Sequence, residues 1–273
     1  MDVAKLLRES GIKPDKSLGQ NFLVDDQSLH RIIKAAQIAN TDTVLEIGPG
    51  LGSLTRYLAL SAHEVIAVEI DKMLVPTLRK VIKEFKNIKV IEGDILKLSV
   101  DDLVKSEKFL VVANIPYYIT SAIIRHLLKS DHKPARMVLT VQKEVAQRIC
   151  ALPGDMSLLA LSIQIYGKPG IVENIPASAF YPVPDVDSAV IRLDLFQEPL
   201  ISLQAEEDFF ILAKAGFSQK RKTLRNSLSA GLAMSTSDTE SLLAAAGIDP
   251  KRRAETLSVS EWLTLTKLFK GHK

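Results

Sequence analysis

The chain is sparing in the features that set a protein apart from ordinary globular ones. It has one cysteine, Cys150, in 273 residues. A lone thiol closes no internal disulfide, and the N-terminus shows no secretory leader, so a reducing, cytoplasmic setting is expected. No apolar run approaches the roughly 20 residues of a membrane span, and residues 1–19 are too mixed and charged to be an anchor. Net charge is only +3, too mild to name a nucleic-acid partner from the total, so the placing of charge has to decide. There is no internal repeat and no low-complexity segment. What is present is an average globular mixture, 47% hydrophobic and 25% charged. A chain of this length builds its core without disulfide or metal staples and suits one large domain plus a small one.

Residues 44–47, 65–69, 89–94, 109–113 and 137–141 read as short apolar strands. Helical spacing follows at 53–58, 72–85, 121–128 and 144–149. Strands alternating with helices predict a doubly wound parallel α/β sheet. The runs 161–166 and 189–195 are expected to supply the last two strands. After Glu198-Pro199 the pattern is helical. This places a Rossmann-like domain over 1–198, with an N-terminal arm, and a small helical domain over 199–273.

Chemistry gathers at the strand ends. Gly48-Pro49-Gly50-Leu51-Gly52 leaves the first strand and opens a helix, where glycine lets a backbone approach a ligand closely. Glu69 closes the second strand at a spacing typical of a ribose-binding carboxylate. Asp94 closes the third and suits an adenine amino group. The G-x-G-x-G spacing departs from the dinucleotide fingerprint, and Glu46 beside the loop would repel a pyrophosphate. S-adenosyl-L-methionine has a sulfonium, an ammonium, a ribose and an adenine but no phosphate, and fits better. Glu46 either faces the ammonium group or accepts from the loop amides. Asn114-Ile115-Pro116-Tyr117 closes the fourth strand. The amide oxygen and a backbone carbonyl there accept hydrogen bonds from an exocyclic amino group, proline fixes the turn, and the tyrosine ring offers a face for a base. Read singly, each of these is as readily an ordinary strand end.

Taken together and in order, the blocks carry a resemblance. Residues 17–23 (SLGQNFL), 45–52 (LEIGPGLG), 92–94 (EGD), 113–120 (ANIPYYIT), 141–146 (VQKEVA), 180–188 (FYPVPDVDS) and 217–224 (FSQKRKTL) make the chain similar to the S-adenosylmethionine-dependent ribosomal-RNA adenine dimethyltransferases, most closely the small-subunit branch. The resemblance implies S-adenosyl-L-methionine as cofactor, contacted by Asn21 and Leu23 of the arm and by Gly48, Gly50, Glu69, Asp94 and Asn114. It implies that Asn114, with Ile115, Pro116 and Tyr117, presents the target adenine, and that Tyr117 and Phe180 stack on it. The implied reaction is N6,N6-dimethylation of adenosines in 16S ribosomal RNA, two adjacent ones in a hairpin near its 3′ end, on the small ribosomal subunit. A monomer with neither metal nor membrane is expected. Lys214, Lys220, Arg221, Lys222 and Arg225 lie in an acid-free stretch and match the family, which favours RNA phosphate contact over a merely solvated face. Lys251-Arg252-Arg253, Lys13, Lys16 and Arg31 are weaker candidates. Two rival readings remain: a large-subunit adenine methyltransferase conferring antibiotic resistance, and a non-catalytic RNA-binding protein on the same fold.

Overall fold

A computed structural model describes residues 1–15 and 17–269; Lys16, one of the candidate phosphate contacts, lies outside the described residues. The chain forms two compact units, Met1–Ala146 with Lys168–Leu195, and Gln147–Gly167 with the chain from Phe196 onward.

In the first unit α1 (Val3–Glu9), β1 (Phe22–Leu23) and α2 (Asp26–Ala36) precede a regular alternation. It runs β2 (Thr43–Ile47), α3 (Ser53–Ser61), β3 (Glu64–Glu69), α4 (Val75–Val81), β4 (Ile88–Glu92), α5 (Val100–Leu103), β5 (Phe109–Asn114), α6 (Thr120–Lys129), β6 (Arg136–Gln142) and α7 (Lys143–Ile149). β7 (Gly167–Ile175), β8 (Phe180–Tyr181) and β9 (Ser188–Leu195) complete it. The 7-stranded sheet has the order β4-β3-β2-β5-β6-β9-β7, parallel from β4 to β6, with β9 antiparallel to β6. Its central strands read as unbroken apolar runs because both faces are covered: Val44, Leu45, Val65, Val111 and Val112 are all fully buried. The chain builds outward from β2 to β4, then returns to lay β5 on the other side. The strand order therefore reverses between β2 and β5, and a crevice opens beyond their carboxyl ends.

α2 packs its apolar side, Leu29, Ile32 and Ala36, into the core cluster that also holds Leu23, Val112 and Phe180. Asp25 caps its N-terminus by accepting from Ser28 N at 2.8 Å. Arg136 and Arg192 donate to the Ala36 and Ala35 carbonyls at its C-terminus and share Asp194, so cations meet the negative end of the helix dipole.

The stretch 161–166, expected to be a strand, belongs instead to helix α8 (Leu158–Gln164). Ser157 caps it by accepting from Ala160 N, and Ala160, Leu161 and Ile163 are buried. A short apolar run has no periodicity with which to separate a buried strand from a buried helix. The strand follows it as β7, despite Pro169 and Gly170, because β7 lies at the sheet edge, where a missing N–H is tolerated. This helix is also why a single boundary at 198 does not describe the division: residues 147–167 pack with the second unit.

The second unit continues with α9 (Leu203–Phe217), α10 (Leu224–Leu232), α11 (Thr236–Ala245) and α12 (Val259–Leu268). Trp262, fully buried, stacks on Phe217 with ring centroids 5.7 Å apart. Ser258 and Glu261 form a capping box on α12, and Arg252 grips Glu261, holding that carboxyl down at about 2. Gly231 lets α10 lie against α9: a Cβ there would sit 2.6 Å from Ala215 Cβ and 2.8 Å from its Cα. Alanine in a helix is favoured over glycine by about 1 kcal/mol, whereas overpacking costs about 1–3 kcal/mol. The obstructing atoms are fixed to a backbone and cannot rotate away, so packing decides. We expect Gly231→Ala to lower the chemical-denaturation midpoint; a raised midpoint would mean the helices part freely.

Candidate active site

Gly48 (φ +69) turns the chain out of β2, and its N–H donates to Val68 O at 2.9 Å, which pins the loop to β3. Gly50 (φ +59) is overlain by the arm: a Cβ there would lie 2.9 Å from the Phe22 ring. Glu69, 4% exposed, accepts from Gly50 N through Oε2 and from Asp71 N through Oε1, both at 2.9 Å. Burial pushes its pKa up, and the two amides oppose the rise. Asp71 in turn accepts from Gln20 Nε2 at 2.6 Å, and Gln20 Oε1 accepts from Asp15 N at 2.8 Å. Asp94 accepts from Leu96 N at 3.0 Å, with Lys97 Nζ 3.7 Å from its other oxygen. Asn21, Leu23, Gly48, Gly50, Glu69, Asp94, Asn114, Ile115, Pro116 and Tyr117 all line one cleft. Ile70 and Ile95 line it too and escaped the sequence reading. The available signal was their place directly after each strand-end acid.

Glu46 also lines the cleft. It is 1% exposed, and Oε2 has no hydrogen-bond partner among the described residues, so this oxygen does not cap the loop amides. Burial pushes its pKa up to about 8; the Thr55 hydroxyl opposes the rise and the Glu69 charge adds to it. An unpaired buried carboxylate is costly unless it is protonated or meets a cation. Glu46, Glu69 and Asp94 on three neighbouring strand ends therefore suit a cationic nucleoside without phosphate, which S-adenosylmethionine is, and disfavour a dinucleotide.

On the opposite side of the strand-order reversal, Asn114 Nδ2 donates to Asn21 O at 3.0 Å, and no group among the described residues donates to Oδ1. No group among the described residues donates to the Ile115 carbonyl. Pro116 (φ −58, ψ 134) starts a 3-10 turn over Tyr117–Ile119. The Tyr117 hydroxyl lies 2.6 Å from Ser188 Oγ at the start of β9, which fixes the ring. Phe180 differs from expectation. It is 2% exposed and belongs to the core cluster, with no face open to a base. Along β8 successive side chains face opposite ways, and here Phe180 takes the inner face while Tyr181 is 42% exposed.

Within the second unit Lys220, Arg221 and Lys222 are exposed in the link between α9 and α10. Arg225 is not a free cation: its Nη1 donates to Glu240 Oε1 on α11 at 2.7 Å. Arg252 is likewise committed to Glu261, and Arg31 in the first unit pairs with Glu173 at 2.6 Å.

The Glu46 carboxyl gives the empty protein a pH signature. Its folded pKa is raised from 4.5 to about 8, so the native state keeps a proton that the unfolded chain has released across that window. Native protein then binds more protons than unfolded, and stability falls as pH rises from about 4.5 through about 8. Glutamine mimics the protonated acid and does not ionise. We expect cofactor-free Glu46→Gln to melt at the same temperature as the parent in mild acid and above it near pH ~8; parallel melting curves across pH would refute a protonated Glu46.

The profile of the family described as "Ribosomal RNA adenine dimethylase" matches residues 11–270. A protein of Dehalococcoides mccartyi named "Ribosomal RNA small subunit methyltransferase A" is 47% identical, over 96% of this chain and 90% of its own length. One of the same name from Moorella thermoacetica is 42% identical over 96% and 94%. Among solved structures, a dimethyladenosine transferase from Plasmodium falciparum superposes with a TM-score of 0.78 at 28% identity, over 89% of this chain and 95% of its own. The 23S rRNA methyltransferase ErmE gives a TM-score of 0.74 at 31% identity, over 91% and 99%. With this match spanning nearly the whole chain, and a cleft of the right chemistry at the strand-order reversal, the chain belongs to the ribosomal RNA adenine dimethylase family and is an S-adenosylmethionine-dependent methyltransferase.

Proposed function

We propose that the chain dimethylates N6 of adenosines in the 16S RNA of small ribosomal subunits, working as a cytoplasmic monomer during subunit assembly. The observation that carries the site assignment is the orientation of Asn114, whose amide nitrogen is occupied by Asn21 O and whose oxygen is free beyond the end of β5. The small-subunit substrate is supported by the names of relatives 42–48% identical over nearly the whole chain, against ErmE at 31%.

In this reading Glu69 holds ribose hydroxyls, Asp94 the adenine amino group and Glu46 the cationic end of the cofactor, with Asn21, Leu23, Gly48 and Gly50 shaping its bed. When bound, S-adenosylmethionine supplies a methyl group on a sulfonium. The target N6 lone pair is delocalised into its ring and has to give up conjugation to react. Asn114 Oδ1 and the Ile115 carbonyl accept the two N6 hydrogens, position the nitrogen and favour the positive charge that develops on it. Pro116 fixes that turn and Tyr117 stacks on the base. A general base is not required, because the methylated ammonium is acidic and gives its proton to water. After one transfer a single N6 hydrogen remains, and one acceptor still holds it. Phe180 stacks only if its ring leaves the core. Lys220, Arg221 and Lys222 contact RNA phosphates, and Arg225 contributes less because Glu240 neutralises it.

The deciding experiment is transfer of labelled methyl groups to undermethylated small subunits and to naked large-subunit RNA, followed by digestion. Label in N6,N6-dimethyladenosine from small subunits alone is expected; label from large-subunit RNA would move the chain to the sibling activity. Asn114→Ala should still bind cofactor but transfer methyl groups about a hundredfold or more slower at saturating cofactor, by analogy with the loss of a single aligned hydrogen bond at other reacting centres. Near-normal turnover would remove Asn114 from the mechanism. Charge reversal at Arg221 and Lys222 should weaken RNA binding and flatten its salt dependence. An unchanged salt slope would return that link to being a solvated surface.

A further inference from the structure

We propose that Tyr118 is the shelf on which the nucleotide flanking the target adenosine stacks. The proposal rests on the rRNA-methylating reading above and assigns it a contact outside the target pocket.

Two consecutive tyrosines leave the end of β5 and do different things. The hydroxyl of Tyr117 is tied to Ser188, and its ring is half-buried. The turn that carries both is a 3-10 turn, in which neighbouring side chains are splayed about 120° apart. Tyr118 therefore leaves the turn in another direction, and it is 61% exposed while still lining the cleft.

The ring lies beside the arm. A Cβ on Gly19 would lie 3.3 Å from both Cδ1 and Cε1 of Tyr118 and 3.5 Å from Pro116 Cβ. Gly19 (φ +61) thus runs as bare backbone between the tyrosine and the proline. One edge of the ring faces Gly19 of the arm, and most of the side chain is exposed. A ring with a free face beside the site is what base stacking requires, since every base has a π-face.

The occupant follows from continuity with the target pocket. Drawing an adenosine to Asn114 takes it out of its stack and leaves its neighbour with one uncovered face. Tyr118, four positions along the chain, is the exposed ring nearest in sequence to that site. Its contact with the arm offers a competing role, a brace that holds the arm over the cofactor, and the two roles move different constants.

The test compares Tyr118→Ala, Tyr118→Leu and Tyr118→Phe in the full chain. Calorimetry gives cofactor affinity without RNA. Steady-state methyl transfer to undermethylated small subunits gives kcat and KM. An RNA carrying 2-aminopurine beside the target adenosine reports stacking through fluorescence quenching. The shelf requires KM for RNA to rise by about 5- to 150-fold in the Ala and Leu variants, with cofactor affinity unchanged and quenching lost, while Phe keeps both. Cofactor affinity falling in step with RNA affinity would overturn it in favour of the brace, as would unchanged KM and quenching in the Ala variant. Absence of methyl transfer by the unmodified enzyme is a separate result: it sinks the small-subunit reading and takes the shelf with it.

Discussion

The site depends on one carboxylate more than on any other group. Glu69 spends its two oxygens on two backbone amides, one in the glycine loop and one in the turn after its own strand. These bonds fix the loop that leaves β2 against the end of β3, and through Asp71 they reach Gln20 of the arm. Three segments far apart in sequence are thereby given one geometry before any ligand arrives. Pre-organisation of this kind is what a methyltransferase needs, because most of the barrier it lowers is a matter of placing a nitrogen in line with a carbon–sulfur bond.

Charge in this protein divides into cations spent on the fold and cations left over. Arg136 and Arg192 close α2, Arg252 closes the start of α12, Arg225 meets Glu240 and Arg31 meets Glu173. Lys220, Arg221 and Lys222 stay exposed in the link between α9 and α10. Partnered guanidiniums are rigid and lose little on folding, whereas free ammonium groups on flexible stems stay available for a phosphate backbone. The modest net charge of +3 thus hides a surface more selective than its total suggests.

Much of the first unit is legible in the sequence because the central strands β3 and β5 are apolar runs that stop at chemically distinctive residues, whereas β4, at the sheet edge, is marked by the Asp94 that follows it. Glu69, Asp94 and Asn114 are visible for that reason, and so is the crevice they share. The same rule misleads at 161–166, where an apolar run bounded by no such residue is a helix capped by Ser157. Local sequence also cannot tell which side of a two-residue strand faces inward, so Phe180, expected at the base, is buried and Tyr181 is the exposed ring. The neutralisation of Arg225 is invisible for a third reason. Its acid comes from a different helix, and an acid-free stretch of sequence is not an acid-free region of space.

Gly50 has a meaning that its place in a ligand-binding loop does not disclose. The space its missing side chain leaves is filled by the Phe22 ring. The loop is therefore a socket and the arm its plug, and the two blocks that flag this family, residues 17–23 and 45–52, are halves of one part. A larger residue at position 50 would unseat the arm before it touched any nucleoside, and a smaller one at position 22 would leave the loop with a hole rather than with freedom.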